Sequence, residues 1–148
     1  MKHIMSGIFA AALALSANAA QAQDKPPLKI GGILDMSSLY ADITGPGSET
    51  AAKMAVEDFG GEVLGRKIQV LAADHQNKAD LSGNIARDML DNQGVEMIYD
   101  VAASATALAA GEIAKARNKI IMFNGPGSIR LSNEACGPYT IHYVFDTY

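Results

Sequence analysis

Short apolar runs alternate with amphipathic segments along most of this chain, and the alternation predicts its secondary structure. Five runs have strand length, at 28–34, 67–73, 95–101, 119–123 and 139–145. Between the first four lie three segments with apolar residues at helical spacing. Buried strands that alternate with helices form a parallel sheet with helices on both faces. The sequence therefore predicts an α/β fold built on a doubly wound, mostly parallel sheet.

Each predicted helix has start or stop signals and one apolar face. The first begins near Ser48 and stops at Gly60-Gly61, the second takes Asp80 as its cap and stops before Gly94, and the third runs to about Arg117. The apolar residues predicted to face inward are Ala51, Ala52, Ala55, Val56, Phe59, Leu81, Ile85, Met89, Leu90, Leu108, Ile113 and Ala116. On the other face of the first helix, Glu49 and Lys53 are spaced for an ion pair.

The first 22 residues have the pattern of an export signal. A basic start at Lys2 precedes an uncharged, Ala-rich stretch, and Ala20-Gln21-Ala22 is a small-x-small cleavage site. A retained membrane anchor is the alternative, although the stretch is short and weakly hydrophobic for a span. We therefore expect a signal peptide at 1–22, a mature chain at 23–148 and a periplasmic location.

Charge and cysteine content narrow the range of partners. The formal net charge is −4 and there is no basic run, which argues against nucleic acid as a partner. Cys136 is the one cysteine, so it is either a free thiol or half of a bridge to a cysteine outside this sequence. The segment 142–148 reads as a strand that leads into another element, so we expect the sequence to be truncated.

Signals for catalysis are weak, and we predict no catalytic residue, no metal site and no cofactor. The first strand–helix loop lacks the glycine pattern that cradles a dinucleotide, and no phosphate-binding loop or nucleophile elbow occurs. His75 and His142 are isolated and are interpreted as surface or structural residues. Asp100, at the end of a strand, is interpreted as a solvated strand-end or hinge-side carboxylate.

Three loops rich in small residues follow strands one, three and four, at 35–47, 102–106 and 124–128. In an open parallel sheet, ligands bind beyond the carboxyl ends of the strands, where the strand order reverses. The hydroxyls of Ser104, Thr106 and Ser128, together with nearby backbone N–H groups, would suit a carboxylate. The alternative is that Ser104 and Thr106 are helix N-caps and that the Gly-Pro-Gly sequence is a simple turn.

Several segments together resemble one family. They are LKIGGILDMS at 28–37, AAKMAVEDFGG at 51–61, IQVLAADHQ at 68–76, ASATA at 103–107, NGPGS at 124–128 and CGPYTIHYVFDTY at 136–148. In order and spacing they are similar to type I periplasmic binding proteins, in particular the leucine/isoleucine/valine-binding family that serves ABC importers. The resemblance implies two lobes that close on a ligand, with this chain forming the first segment of lobe one.

The resemblance also implies a function and a site. The function is a periplasmic receptor that delivers branched-chain amino acids, or related small carboxylates such as aromatic acids, to an ABC-importer membrane permease. The residues that match the ligand-binding positions are Ser104, Ala105, Thr106, Gly127, Ser128, Tyr40 and Tyr148. Two alternatives remain at this point: an exported enzyme on the same fold, and the ligand-sensing domain of a membrane receptor.

Overall fold

The computed structural model describes residues 25–148, which form one α/β layer structure. The strands are β1 Leu28–Leu34, β2 Glu62–Val63, β3 Arg66–Asp74, β4 Val95–Asp100, β5 Ile120–Phe123 and β6 Thr140–His142. The helices are α1 Pro46–Asp58, α2 Ala79–Asp91 and α3 Ser104–Ala116, and a short 3-10 helix spans Ile129–Leu131. The predicted signal peptide lies outside the described residues.

The six strands form one sheet in the order β2-β3-β1-β4-β5-β6. Every neighbouring pair is parallel except the short pairing of β2 with β3. The chain passes from β1 to β3 on one side and then returns across β1 to β4 on the other. This confirms the predicted doubly wound, mostly parallel sheet and places the reversal of strand order beside β1.

The core lies between the sheet and the layer formed by α2 and α3. Side chains of the central strands pack there against small residues of α3, among them Ala107, Ala110 and Ala114, all of which are fully buried. Gly111 lets the helix approach the sheet, since a Cβ on it would lie 3.2 Å from Cζ of Phe123. The side chain of Ser82 donates a hydrogen bond to the carbonyl of Thr106, so α2 is tied to the start of α3.

The other face of the sheet, beneath α1, is much less enclosed. No residue of α1 is buried, and a cavity of about 650 Å³ lies between the helix and the strands. Its walls are mostly apolar and include Ala52, Ala55 and Val56 of α1 with Ile30 and Met97 of the sheet. The predicted inward face of α1 therefore does turn toward the sheet, but it lines an apolar groove instead of a closed core.

Element boundaries agree with the predictions to within one residue at β1, β3, β4 and β5, and less closely elsewhere. The second helix begins at Ala79 with Lys78 before it, so the prediction that Asp80 caps it is wrong; Asp80 lies within the first turn. The last strand is limited to Thr140–His142, shorter than the predicted 139–145. Ala116 is exposed, not inward, because the buried stripe of α3 runs through Ala107, Ala110 and Ala114, and position 116 lies on a different face of the helix.

Candidate ligand-binding site

Two turns meet at the carboxyl edge of the sheet, on the side of β1 where β4 and β5 lie. The first rim turn, 102–106, follows β4, and the second rim turn, 124–128, follows β5. They are in contact, because a Cβ on Gly125 would lie 3.1 Å from Cα of Ala102. A larger residue at position 125 would push the two turns apart. The parallel pairing of β4 with β5 brings the ends of both strands to this edge.

In the first rim turn, the three predicted residues differ in what they can offer a ligand. Ala105 is exposed and Ser104 is half-buried, and both lie in the first turn of α3, whose N–H groups have no partner within the helix. Thr106 is fully buried, and its hydroxyl donates to the carbonyl of Ala103 at 2.7 Å. Neither Ser104 nor Thr106 is the N-cap, a position that Ala103 occupies without a side-chain cap. The N-cap interpretation of these two residues is therefore wrong.

The second rim turn is held by a side chain from β6. Nε2 of His142 lies 2.7 Å from the carbonyl oxygen of Pro126, and Nδ1 of the same ring lies 2.7 Å from the hydroxyl of Ser132. A carbonyl oxygen can only accept, so Nε2 carries the proton in this pair. The middle of the turn is thereby fixed to the edge of the sheet. His142 is a structural residue, as predicted, but its specific contact with the turn was not foreseen.

Gly127 and Ser128 complete the second rim turn. A Cβ on Gly127 would lie 2.8 Å from Cε2 of Phe145, so the phenyl ring rests directly on the glycine backbone. The carbonyl of Ser128 accepts a hydrogen bond from the N–H of Leu131, and the residue leads into the short 3-10 helix. Both predicted residues are half-buried at this edge.

The loop after β1 is organised around the buried carboxylate of Asp35. It accepts hydrogen bonds from the N–H and hydroxyl of Ser38 and from the N–H of Tyr40, at 2.6–3.0 Å. Burial alone would raise the pKa of Asp35, but these hydrogen bonds outweigh it and hold this pKa below its usual range. Gly45 closes the loop with φ of 64° and would place a Cβ 2.5 Å from the carbonyl oxygen of Asp35. Tyr40 is half-buried at this loop.

Asp100 lies between the two rim turns and is buried, so the interpretation as a solvated strand-end carboxylate is wrong, while the hinge-side alternative stays a prediction. It is 1% exposed, and Oδ1 would lie 3.3 Å from a Cβ on Gly125. Within residues 25–148 neither carboxyl oxygen has a clear hydrogen-bond partner. Burial raises the pKa of Asp100, and the neighbouring Ser48 hydroxyl and His75 offset only part of this effect. The side chain therefore favours the neutral acid more than an ordinary aspartate does.

The backbone at the same place is strained. Asp100 has φ of 74° and Val101 has φ of 62°, values in the left-handed region that a β-branched residue rarely adopts. Val101 is fully buried, so the packing around it maintains this conformation. Strain of this kind costs on the order of 1–3 kcal/mol per residue and concentrates at functional sites. It turns the chain sharply from β4 into the first rim turn.

The remaining residues singled out from the sequence are Tyr148, His75 and Cys136. Tyr148 is fully exposed, and its N–H is hydrogen-bonded to Asp146. His75 is fully buried, contrary to a surface position, and its Nδ1 accepts from the N–H of Asn77. Desolvation lowers the pKa of His75, which favours the neutral ring. Cys136 is exposed and free.

Residues 25–148 hold neither a metal-ligand cluster nor a membrane-spanning helix. No group of three or more His, Cys, Asp or Glu side chains is arranged to hold a metal ion there. No helix among the same residues is long and apolar enough to cross a bilayer.

A doubly wound sheet with two small-residue turns at its switch point defines a ligand-binding α/β lobe, and comparison with known proteins gives the family. The periplasmic binding protein family matches residues 27–148. The chain therefore belongs to the periplasmic binding protein family. The comparison with curated proteins gives no match.

Among solved structures, a periplasmic binding protein from Burkholderia mallei is 49% identical, with a TM-score of 0.80. The alignment covers 82% of this chain and 32% of that protein. A branched-chain amino-acid ABC transporter periplasmic ligand-binding protein from Burkholderia xenovorans is 36% identical, with a TM-score of 0.77 and coverages of 80% and 32%. A solute-binding protein of an ABC transporter from Rhodopseudomonas palustris, solved with 3,4-dihydroxybenzoic acid, is 25% identical, with a TM-score of 0.68 and coverages of 77% and 31%. The chain thus spans about a third of the length of these relatives.

Proposed function

We propose that this chain is part of the substrate-binding receptor of an ABC importer, and that it binds a small carboxylate. The observation that carries the proposal is the contact between the two rim turns at Gly125 and Ala102, at the point where ligands bind in open α/β sheets. Branched-chain amino acids and aromatic acids are the candidate ligands. The relative from Burkholderia xenovorans is a branched-chain amino-acid transport protein, and the relative from Rhodopseudomonas palustris was solved with 3,4-dihydroxybenzoic acid.

The chemistry of the rim supports an anionic group on the ligand. The N–H groups at the start of α3 are directed to the sheet edge, where the positive end of the helix dipole favours a negative charge. Ser104 and Ser128 add hydroxyl donors from the two rim turns. Binding through hydroxyls and amides does not require a nucleophile or a shifted pKa. We therefore propose a receptor that returns its ligand unchanged, not an enzyme.

The family also suggests where the protein works and what it contacts. We propose a periplasmic location, reached through cleavage of the predicted signal peptide at 1–22. The partner would be the membrane permease of the importer, which accepts the ligand from the closed receptor. The net charge of −4 makes nucleic acid an unfavourable partner.

The test is a thermal-shift and calorimetric panel on the protein expressed from its complete reading frame. The panel contains leucine, isoleucine, valine, benzoate, 4-hydroxybenzoate and, as analogues without the carboxylate, leucinamide and benzamide. A ligand that binds only the folded state adds about 2.7 kcal/mol at one hundred times its Kd, which a melting curve resolves. The carboxylates should raise the Tm, the two amides should not, and the ligand should be recovered intact.

A matched pair of variants links any binding to the rim. Ser128→Ala removes a hydroxyl from the second rim turn and should weaken binding. Thr50→Ala removes a hydroxyl from the exposed side of α1 and should leave the affinity unchanged. Binding of no carboxylate in the panel, or chemical conversion of the bound compound, would contradict the proposed function.

A further inference from the structure

The aromatic ring of Phe145 can lie against the second rim turn because Gly127 has no side chain. The edge of the Phe145 ring lies on Gly127, with Cε2 2.8 Å and Cδ2 3.3 Å from where a Cβ on the glycine would be. Real Cβ atoms essentially never come as close as the first of these distances. The surface of the second rim turn is therefore supplied at this point by the Phe145 ring in place of a side chain on the turn itself.

The Phe145 ring contacts the turn along one edge, and most of its remaining surface is exposed. Phe145 is 72% exposed, although a phenyl group normally loses most of its surface in a folded domain. The segment that carries it is fixed at its start, because the N–H of Tyr143 donates to the carbonyl of Phe123 at the end of β5. His142 fixes Pro126, the residue before Gly127, from the same segment. The ring and the turn are thus held in one arrangement.

An exposed ring fixed beside hydrogen-bond donors suits a ligand that carries a carboxylate at one end and an apolar group at the other. The N–H and hydroxyl groups of the rim would take the anionic end, and the ring would take an apolar body of similar shape. We propose that Phe145 is a specificity-determining residue that selects carboxylates carrying an aromatic ring over those carrying an aliphatic chain. This inference rests on the proposed function and narrows its ligand class.

The shape of the contact favours an aromatic body. Rings pair in offset or edge-to-face arrangements that a branched aliphatic chain cannot reproduce, so an aromatic ligand gains more from Phe145 than leucine does. Leucine at position 145 would keep an apolar surface and lose the planar one. The preference of the protein for benzoate over leucine therefore reports on the Phe145 ring itself.

The experiment measures the Kd of benzoate, 4-hydroxybenzoate and leucine by calorimetry on the protein from its complete reading frame. Phe145→Ala should weaken the aromatic acids by about 30-fold, the usual scale for an aromatic anchor, and leucine by much less. Phe145→Leu should restore leucine affinity but not benzoate affinity. Tyr143→Ala is the matched control, because Tyr143 is 79% exposed on the same segment and its hydrogen bond to Phe123 is made by the backbone, which the substitution keeps.

A double-mutant cycle tests the contact with the turn. Gly127→Ala introduces the Cβ that displaces the ring, so it should weaken the aromatic acids in the Phe145 background and have little further effect in Phe145→Ala. Circular dichroism and Tm values establish that each variant is folded. If the wild type binds aromatic acids and Phe145→Ala binds them equally well, the inference is wrong and the proposed function stands. If the wild type binds no carboxylate, both are wrong.

Discussion

Nε2 of His142 lies 2.7 Å from the carbonyl oxygen of Pro126, so a side chain of β6 holds the middle of the second rim turn. The ring is itself oriented by the hydroxyl of Ser132 at Nδ1. Pro126 is buried, and a buried carbonyl without a partner is costly. The position of the turn therefore depends on a residue 16 positions further along the chain.

Replacing this histidine should loosen the turn. His142→Ala leaves the Pro126 carbonyl without its donor, and we expect a loss of about 1 kcal/mol in the free energy of unfolding. If the turn binds ligand, the affinity should fall by about fivefold as well. Ser132→Ala should have a smaller effect of the same sign, because it removes only the group that orients the ring. Urea unfolding and ligand calorimetry on the same samples would measure both quantities, and unchanged values for His142→Ala would contradict the prediction.

Asp100 should make the protein less stable as pH rises. Because its pKa is raised, the folded state binds the proton more tightly than the unfolded state does. The free energy of unfolding therefore falls as pH rises from the ordinary pKa of 3.8 through the raised one. Asp100→Asn cannot ionise, and asparagine tolerates positive φ. We expect this variant to be more stable than the wild type at pH 7, with an advantage that shrinks toward pH 4 in urea titrations.

Asp35 should have the opposite effect on how the stability of the fold depends on pH. Its pKa is lowered, so its contribution to stability is present above the ordinary pKa and is lost as pH falls through the lowered one. Asp35→Asn leaves some of the donors from Ser38 and Tyr40 unpaired and should destabilise by roughly 1–3 kcal/mol at pH 7. The difference from the wild type should diminish at acidic pH. Two buried aspartates with the same pH response would show that one of these assignments is wrong.

Gly45 and Gly47 form a matched pair for the loop before α1. Gly45→Ala places a Cβ 2.5 Å from the Asp35 carbonyl oxygen at φ of 64°, so we expect a loss of more than 1 kcal/mol in stability. A Cβ on Gly47 meets nothing within 4 Å, and this residue lies in the first turn of α1. Gly47→Ala should therefore be neutral or stabilising by up to about 1 kcal/mol. Thermal melts of the two variants side by side would measure this difference, and equal Tm values would contradict the prediction.

The groove beneath α1 should bind apolar dyes in the isolated polypeptide 23–148. Phe59 lines it and is 65% exposed, so Phe59→Glu should lower the fluorescence of bound anilinonaphthalene sulfonate. Leu39→Glu changes an apolar residue outside the groove that is 75% exposed, and it should leave the signal unchanged. We expect this polypeptide to be marginally stable and prone to aggregate. A sharp, reversible thermal transition without dye binding would contradict that expectation.

The periodic elements were predictable because their signals are local. Ile30 and Ile33 lie in an apolar run that marks β1, and the three helices were found from apolar spacing and glycine stops. The Glu49–Lys53 ion pair, at 2.6 Å, also followed from spacing alone. The parallel order of the strands then followed from the alternation of the elements.

The details of the site depend on contacts between distant positions. Nothing local to Asp100 shows that Gly125 and Ala102 will enclose it, so the sequence could not predict its burial. The same applies to Phe145, whose place is set by a glycine 18 positions earlier. A partial signal was available at Gly125 and Gly127, because two glycines around one proline indicate close approach of other atoms as well as a turn.

The strand order has a consequence for how the chain folds. β1 is made first, yet it lies between β3 and β4, and Ile33 pairs with Asp100 only after most of the described chain exists. Closing loops of this length before any pairing energy is gained makes such topologies slow to fold. Until β4 arrives, the apolar edge of β1 is open to incorrect partners. Folding of this lobe should therefore be limited by the arrival of β4, and mutations in β4 should slow refolding more than mutations in α1.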